Sequence, residues 1–412
     1  MRQIWENEWG GFMSSNNVIN LVNKADCSGC GACVCACPEK CLLMKGDSEG
    51  FYYPHIDDKS CIDCGKCLSV CAAKSKPKIN SYGRRVFIVQ HKNDKIRRES
   101  TSGGAFTAIA EYIIKNGGIV FGAGMDENFR VCHMPAYNLE QLALFRNSKY
   151  SQSDLGDTFL KIKNYLAEGK KILFSGTPCQ VAGLKKFLHG DDENLVTVDV
   201  VCRGIPSPLV FEKYIDYQKK RLGEFDKVLF RDKYSGYTHT AMSVYRDNVC
   251  LYHNGLEYDP MLKLFYQGMI CRPVCSNCRF KEIERCSDFT LWDCFSAAEI
   301  NSEFDDNKGT TFVMLHSQSA EMIFEKIRDN IRACEAETEK VCNNTAEMLK
   351  SISHNPKRQE FFKDVNSMQP EKLFDKWAPV TLTVRLNKLL RNILAKLGLY
   401  YIAKNLALKL KK

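Results

Sequence analysis

The sequence predicts a mixed α+β / α/β chain in three parts: a small cysteine-rich module, an α/β core and a helical tail. Three observations carry that reading. Ten of the 21 cysteines fall between Cys27 and Cys71, in two copies of one spacing. The middle of the chain alternates short apolar runs with segments of helical period. From Trp377 to the end there are eight Lys and Arg and no Asp or Glu.

The module is assigned to residues 1–80. Its first run is Cys27-x2-Cys30-x2-Cys33-x3-Cys37-Pro38, and Cys61-x2-Cys64-x2-Cys67-x3-Cys71 repeats it. This is the bacterial-ferredoxin-like spacing, in which three cysteines grip one iron–sulfur cube and the fourth reaches across to the other. One 4Fe–4S cluster is expected on Cys27, Cys30, Cys33 and Cys71, and the second on Cys61, Cys64, Cys67 and Cys37. Gaps of two residues let a tight loop aim three thiolates at three corners, and Gly29, Gly31 and Gly65 let backbone amides approach the sulfides. Zinc also takes Cys-x2-Cys pairs, but two full runs of this form favour clusters. Cys35 and Cys41 fall outside the pattern and are read as packing thiols. A disulfide framework is disfavoured, because the opening MRQIWENEWGGF lacks the build of an export signal.

The same lack of an export signal, with no uncharged apolar run near the ~18 residues of a membrane span, gives a cytoplasmic expectation. The formal charge of +9 resides almost wholly in the tail, since residues 1–376 carry only +1. No basic face with interleaved aromatics suggests nucleic acid.

The first half of the core, 81–168, opens with Arg97–Asp126, read as loop, helix, turn and strand. Phe106, Ile109, Ala110, Ile113 and Ile114 keep the helical period, and Gly117-Gly118 ends it. The preceding Ser100-Thr101-Ser102-Gly103-Gly104 presents free N–H groups suited to a phosphate, or simply caps a helix. The loop Arg146–Asp154 gathers Ser148, Lys149, Tyr150, Gln152 and Ser153, a dense donor set for a polar cofactor or a solvated loop.

The second half, 169–330, contains a compact strand–helix–strand unit: Lys171–Ser175, then Gln180–Leu188, then Leu195–Val201. Such crossovers join parallel strands, whose C-terminal ends share one edge of the sheet, where open α/β folds bind ligands. Cys179 and Cys202 follow those ends. With the Cys275-x2-Cys278 pair they make a third 4Fe–4S site. A self-contained set of Cys271, Cys275, Cys278 and Cys286, a structural zinc, and a nucleophilic role for Cys179 are the rivals.

With these residues in view, the chain resembles the coenzyme F420 hydrogenase/dehydrogenase beta-subunit family. The matching segments are STSGGAFTAIAEYIIKNGGIVFGA, NSKYSQSD, FSGTPCQVAGLKKFL, VDVVCRGIPSP and RPVCSNCRFKEIERCSDFTLWDCF, from Ser100 to about Phe295. The resemblance implies a core that binds FAD beside an iron–sulfur cluster. By it, Ser102, Gly103, Gly104, Ser148, Lys149, Tyr150, Gln152 and Ser153 line the FAD site, while Thr177 and Pro178 position the segment carrying Cys179. Arg203 stands where the family commonly has histidine, and Cys294-Phe295 where an aromatic pair is usual.

Residues 331–376 are read as a helical connector and 377–412 as a basic amphipathic helix. Leu386, Leu389, Leu390, Ile393, Leu394 and Leu397 share one face, suited to an anionic membrane surface, a partner, or the chain's own body. The expected function is an FAD- and 4Fe–4S-dependent oxidoreductase. It moves electrons between a ferredoxin or another redox donor and an unidentified small-molecule substrate. The rival readings are an electron-transfer subunit without its own substrate site and a non-redox scaffold with structural metal.

Overall fold

The computed structural model describes residues 17–79, 82–239 and 241–396. The N-terminal module is a hairpin, β1 (Leu42–Gly46) against β2 (Tyr52–Ile56), flanked by one-turn helices at Ala32–Ala36 and Lys66–Ser69. Each of these helices starts directly after a left-handed glycine, Gly31 at φ 74° and Gly65 at φ 69°. A side chain there would strain the turn that swings the cysteines inward.

The core is built on one eight-stranded sheet. Its strands are β3 (Arg85–His91), β4 (Ile119–Met125), β5 (Val131–Ala136), β6 (Ile172–Gly176), β7 (Leu195–Val200), β11 (Phe289–Asp293), β12 (Thr311–Leu315) and β13 (Ile331–Ala336). The order is β13-β3-β12-β11-β7-β6-β4-β5. The central four, β11, β7, β6 and β4, run parallel, and the outer pairings are antiparallel. Both faces are covered. Along β3, Phe87 and Val89 enter one apolar cluster while Val86 and Ile88 enter another, as the two-residue period of a strand requires. Helix Ala105–Lys115 seals the first face with Ala108, Ile109 and Ile113, all fully buried.

A second, three-stranded antiparallel sheet, β8 (Lys227–Asp232), β9 (Ala241–Arg246) and β10 (Val249–Gly255), shares a core with helix Pro208–Leu222. Helices Arg358–Ser367 and Pro370–Trp377 close over it, with Phe374 set edge-on to Tyr217 at 5.1 Å between ring centroids.

Several elements differ in extent from the sequence reading. The helix after β6 spans Pro178–Phe187, so Cys179 lies in a first helical turn rather than a loop. Proline fits a first helical position because its missing N–H has no partner there in any case. Arg97–Glu99 ends a short helix, Asp94–Glu99. The segment read as a helical connector opens with β13, paired to β3. In the tail, Leu382–Lys396 is helical, and Leu386, Leu389, Leu390 and Ile393 are exposed along it. Leu397 lies outside the described residues. Among the described residues no helix is long and apolar enough to cross a membrane.

Candidate functional site

The cysteines assemble crosswise, as the spacing predicts. Cys30 lies within electrostatic reach of Cys27 and Cys71, and Cys33 within reach of Cys30, Cys27 and Cys71. Burial, with those neighbouring sulfurs adding in the same direction, pushes the Cys30 thiol up to about 12. As bare thiols these groups hold their protons; iron displaces them, which is why binding such a metal releases acid. Cys37, Cys61, Cys64 and Cys67 line a separate cavity of about 20 Å³. Cys41, read as a packing thiol, lines it too, with its Sγ 3.3 Å from that of Cys37. Cys35 is buried, its Sγ directed to the Gly156 carbonyl.

Cys179, Cys202, Cys275 and Cys278 line a single cavity of about 40 Å³, together with Pro178. Cys271 and Cys286 are not among its lining residues. Cys286 instead neighbours Asp199 and Lys185, so the self-contained set is not gathered. Thr177 caps the helix reciprocally with Gln180, and its Oγ1 lies 3.1 Å from Cys179 Sγ. Asp26, Ser28 and Ala73 of the N-terminal module complete the cavity wall. The helix behind Cys179 also meets the module at Gly183, where a Cβ would stand 2.8 Å from Cys30 Sγ. Among the described residues no three His, Cys, Asp or Glu side chains converge as a single ion needs. Four thiolates at the corners of an iron–sulfur cube stand further apart than ligands of one ion.

A much larger cavity, of about 960 Å³, opens at the carboxyl ends of the parallel strands, where such sheets take ligands. Ser102 and Gly104 line it from the glycine stretch, and Ser148, Lys149, Tyr150, Gln152 and Ser153 from the following loop. Thr177 lines it from the helix, whereas Pro178 faces the cysteine cavity. Gly103 is not among the lining residues: its N–H donates to Thr311 Oγ1 and its carbonyl accepts from His91. Gly104 offers no side-chain cap to helix Ala105–Lys115, so the first-turn N–H groups stay available. Thr107 Oγ1, Arg146 Nε, Arg203 Nε and Trp292 Nε1 line this cavity, buried and without a hydrogen-bond partner. Orphaned polar atoms around a cavity of this size fit a large polar ligand such as FAD. Lys149 donates to the carbonyls of Leu144 and Arg146, and burial pulls its ammonium down to about 7.

Two polar networks in this cavity escape sequence reasoning. At the end of β11, Asp293 accepts from Ser102 Oγ at 3.0 Å, Tyr237 Oη at 3.1 Å and Arg231 at 2.9 Å. Arg231 also donates to Tyr150 Oη at 3.0 Å. A carboxylate closing the apolar strand Phe289–Trp292 is the one local signal of this network. On β5, His133 Nε2 donates to the Ser175 carbonyl at 3.0 Å, which leaves Nδ1 to accept from Ser153 Oγ at 2.9 Å. Gln180 Nε2 donates to that same Ser153 oxygen, so the chain of bonds runs from the cavity to the cap beside Cys179. Burial holds His133 neutral, its imidazolium pulled down to about 4.

Comparison with known proteins gives two family matches. Residues 169–340 match the C terminus of the coenzyme F420 hydrogenase/dehydrogenase beta subunit, while residues 26–75 match the 4Fe–4S dicluster domain. A coenzyme F420-dependent sulfite reductase of Methanocaldococcus jannaschii is 26% identical over 277 residues, 65% of this chain. The chain spans only 41% of that relative's length. A ketoisovalerate oxidoreductase subunit, VorC, of Methanothermobacter marburgensis is 33% identical over 63 residues, 15% of this chain and 73% of the relative. A chain of the F420-reducing NiFe hydrogenase complex from Methanosarcina barkeri aligns over 73% of this chain and 90% of its own, at 15% identity and a TM-score of 0.42.

Proposed function

This chain belongs to the coenzyme F420 hydrogenase/dehydrogenase beta-subunit family, with a 4Fe–4S dicluster domain in front, and on that premise we propose that it is an iron–sulfur flavoprotein oxidoreductase. Electrons travel between a ferredoxin-type donor and a two-electron substrate through the dicluster domain, a third cluster and FAD. One observation carries the reading: four sequence-distant cysteines share a cavity walled on one side by the dicluster module, and the large ligand cavity adjoins it through Ser28, Thr177 and Cys202–Gly204.

When bound, FAD exchanges two electrons with a substrate and passes them singly to iron–sulfur centres. The chain's own residues supply placement. The free N–H groups at the start of helix Ala105–Lys115 and the Lys149 ammonium suit an anionic phosphate. Asp293, fixed by three donors, orients Arg231 and Tyr150 at the cavity wall. Neutral His133, held between Ser175 and Ser153, keeps Gln180 and Thr177 aligned on the Cys179 turn. Arg203, buried at its Nε and stacked on Tyr266 at 5.0 Å, sits where a substrate would approach.

Single-turnover reoxidation of the reduced protein tests this function, with F420-type deazaflavins, nicotinamides and nitro compounds as acceptors. Rapid reoxidation by one class is expected. If none reacts while a protein redox partner still exchanges electrons, the chain is an electron-transfer subunit without a substrate site.

A further inference from the structure

Arg272 is sealed completely from solvent and is among the largest side chains so buried. Its donors are directed at three acceptors. Nε donates to the Cys27 carbonyl at 2.7 Å, one terminal nitrogen to Gln152 Oε1 at 3.1 Å, and the other to Cys27 Sγ at 3.7 Å. The guanidinium lies over the Tyr53 ring, 3.8 Å from its centroid. Gly29 makes room for this packing, because a Cβ there would stand 2.9 Å from the guanidinium and 2.5 Å from Gln152. Gln152 Oε1 also accepts from the Tyr52 N–H, so the arm that holds Arg272 is itself fixed.

Among the described residues, none of these contacts is a carboxylate. Arginine stays protonated in proteins, and a buried charge is costly unless it is paired. The acceptor that can answer it is Cys27 Sγ, which is neutral as a thiol and anionic as a cluster ligand. We propose that Arg272 is the built-in counter-ion of the first 4Fe–4S cluster, bonding the Cys27 thiolate and raising that cluster's reduction potential. Taking up one electron adds one negative charge at the site and moves no proton. A fixed cation at hydrogen-bond distance in a dry interior therefore stabilises the reduced state more than the oxidised one. The effect is selective, since the four cysteines of the second cavity have no such arginine among the residues lining it. The guanidinium is a positioning and tuning group, tied through Gln152 to the wall of the large cavity.

The test is a potentiometric titration of the full chain, loaded with iron and sulfide anaerobically, with both clusters followed by electron paramagnetic resonance. Dithionite serves as the one-electron reductant. For Arg272→Gln, one cluster should become at least tenfold harder to reduce, a shift of about 59 mV for a one-electron couple, while the other holds its wild-type value. Arg272→Lys keeps the charge but loses the fork and should fall between. If Arg272→Gln does not accumulate, the Arg272→Lys shift decides alone. Unmoved potentials in loaded variants would overturn the proposal. So would loss of the cluster or of folded protein in both variants, which would make Arg272 only a seat for the Cys27 carbonyl. The proposal rests on the cluster reading above, and the wild-type iron content separates the two. Fewer than about eight irons per chain would sink the reading itself.

Discussion

The tightest junction between the dicluster module and the core is a single glycine, and adding one methyl group there tests the cluster assignment through the sign of its effect. Gly183 sits mid-way along helix Pro178–Phe187. An alanine Cβ at that position would stand 2.8 Å from Cys30 Sγ and 2.9 Å from Cys30 Cβ, where ordinary contact begins at 3.4 Å. Two effects compete. Gly→Ala in a helix gains about 1 kcal/mol from backbone propensity, whereas overpacking a close-packed site costs about 1–3 kcal/mol. Which one wins depends on whether Cys30 can move. A free thiol rotates away and leaves the propensity gain. A thiol bonded to iron is held in place, and the clash remains, for a net loss of about 1 kcal/mol. Gly183→Ala should therefore destabilise the loaded protein and leave the iron-stripped protein unharmed or more stable. The assay is anaerobic heating, with bleaching of the iron–sulfur absorbance for the loaded form and circular dichroism for the stripped form. A loaded variant that bleaches at or above the wild-type temperature would refute the placement of Cys30 as a ligand against this helix.

Cys179→Ser and Cys202→Ser should each lower the iron content by about four atoms per chain without removing the dicluster signals; unchanged iron would exclude these thiols as ligands. FAD binding to flavin-free protein should weaken as pH rises through about 7, where buried Lys149 loses its charge. Lys149→Met should flatten that dependence and weaken binding roughly tenfold, the loss of one charge-assisted hydrogen bond. Burial holds His133 and His316 neutral, pulled from 6.5 to about 4 and about 3. The unfolded chain binds their protons first as pH falls below 6.5, so stability drops on acidification, by up to about 1.4 kcal/mol per pH unit for each. His133→Gln should shallow the slope of urea-unfolding stability between pH 6 and about 4. We propose that the exposed leucine face of Leu382–Lys396 lies on anionic lipid. Flotation with phosphatidylserine vesicles should then capture the full chain but not Leu386→Glu/Leu390→Glu, and equal flotation of both would refute it.

What the sequence makes legible is set by short spacings. Two-residue gaps between cysteines leave a tight loop little choice, so both dicluster quartets are readable from the spacing alone. The strand–helix–strand unit is readable from its apolar periods, and parallel pairing of β6 with β7 then carries Cys179 and Cys202 to one edge. Long-range placement is less accessible. Asp293, Ser102, Arg231, Tyr150 and Tyr237 come from separate segments, and no local pattern announces that they meet. Arg272 sits within CRPVC, where a charged residue beside cysteines reads as solvated; only the packing of Cys27, Gln152 and Tyr53 around it reveals its burial. The first helical turn at Pro178 escapes a reading of Thr-Pro-Cys as a loop, although proline commonly opens a helix. The strand Ile331–Ala336 hides inside an apparent helical connector because its partner, β3, lies some 240 residues earlier in the chain.

Purification under nitrogen, with iron, acid-labile sulfide and flavin quantified per chain, tests the cluster-to-flavin route most directly. About twelve irons, matching sulfide and one FAD are expected from three four-cysteine sites and one ligand cavity. About eight irons with no flavin would contradict it, leaving the dicluster domain with no third cluster and no flavin to feed.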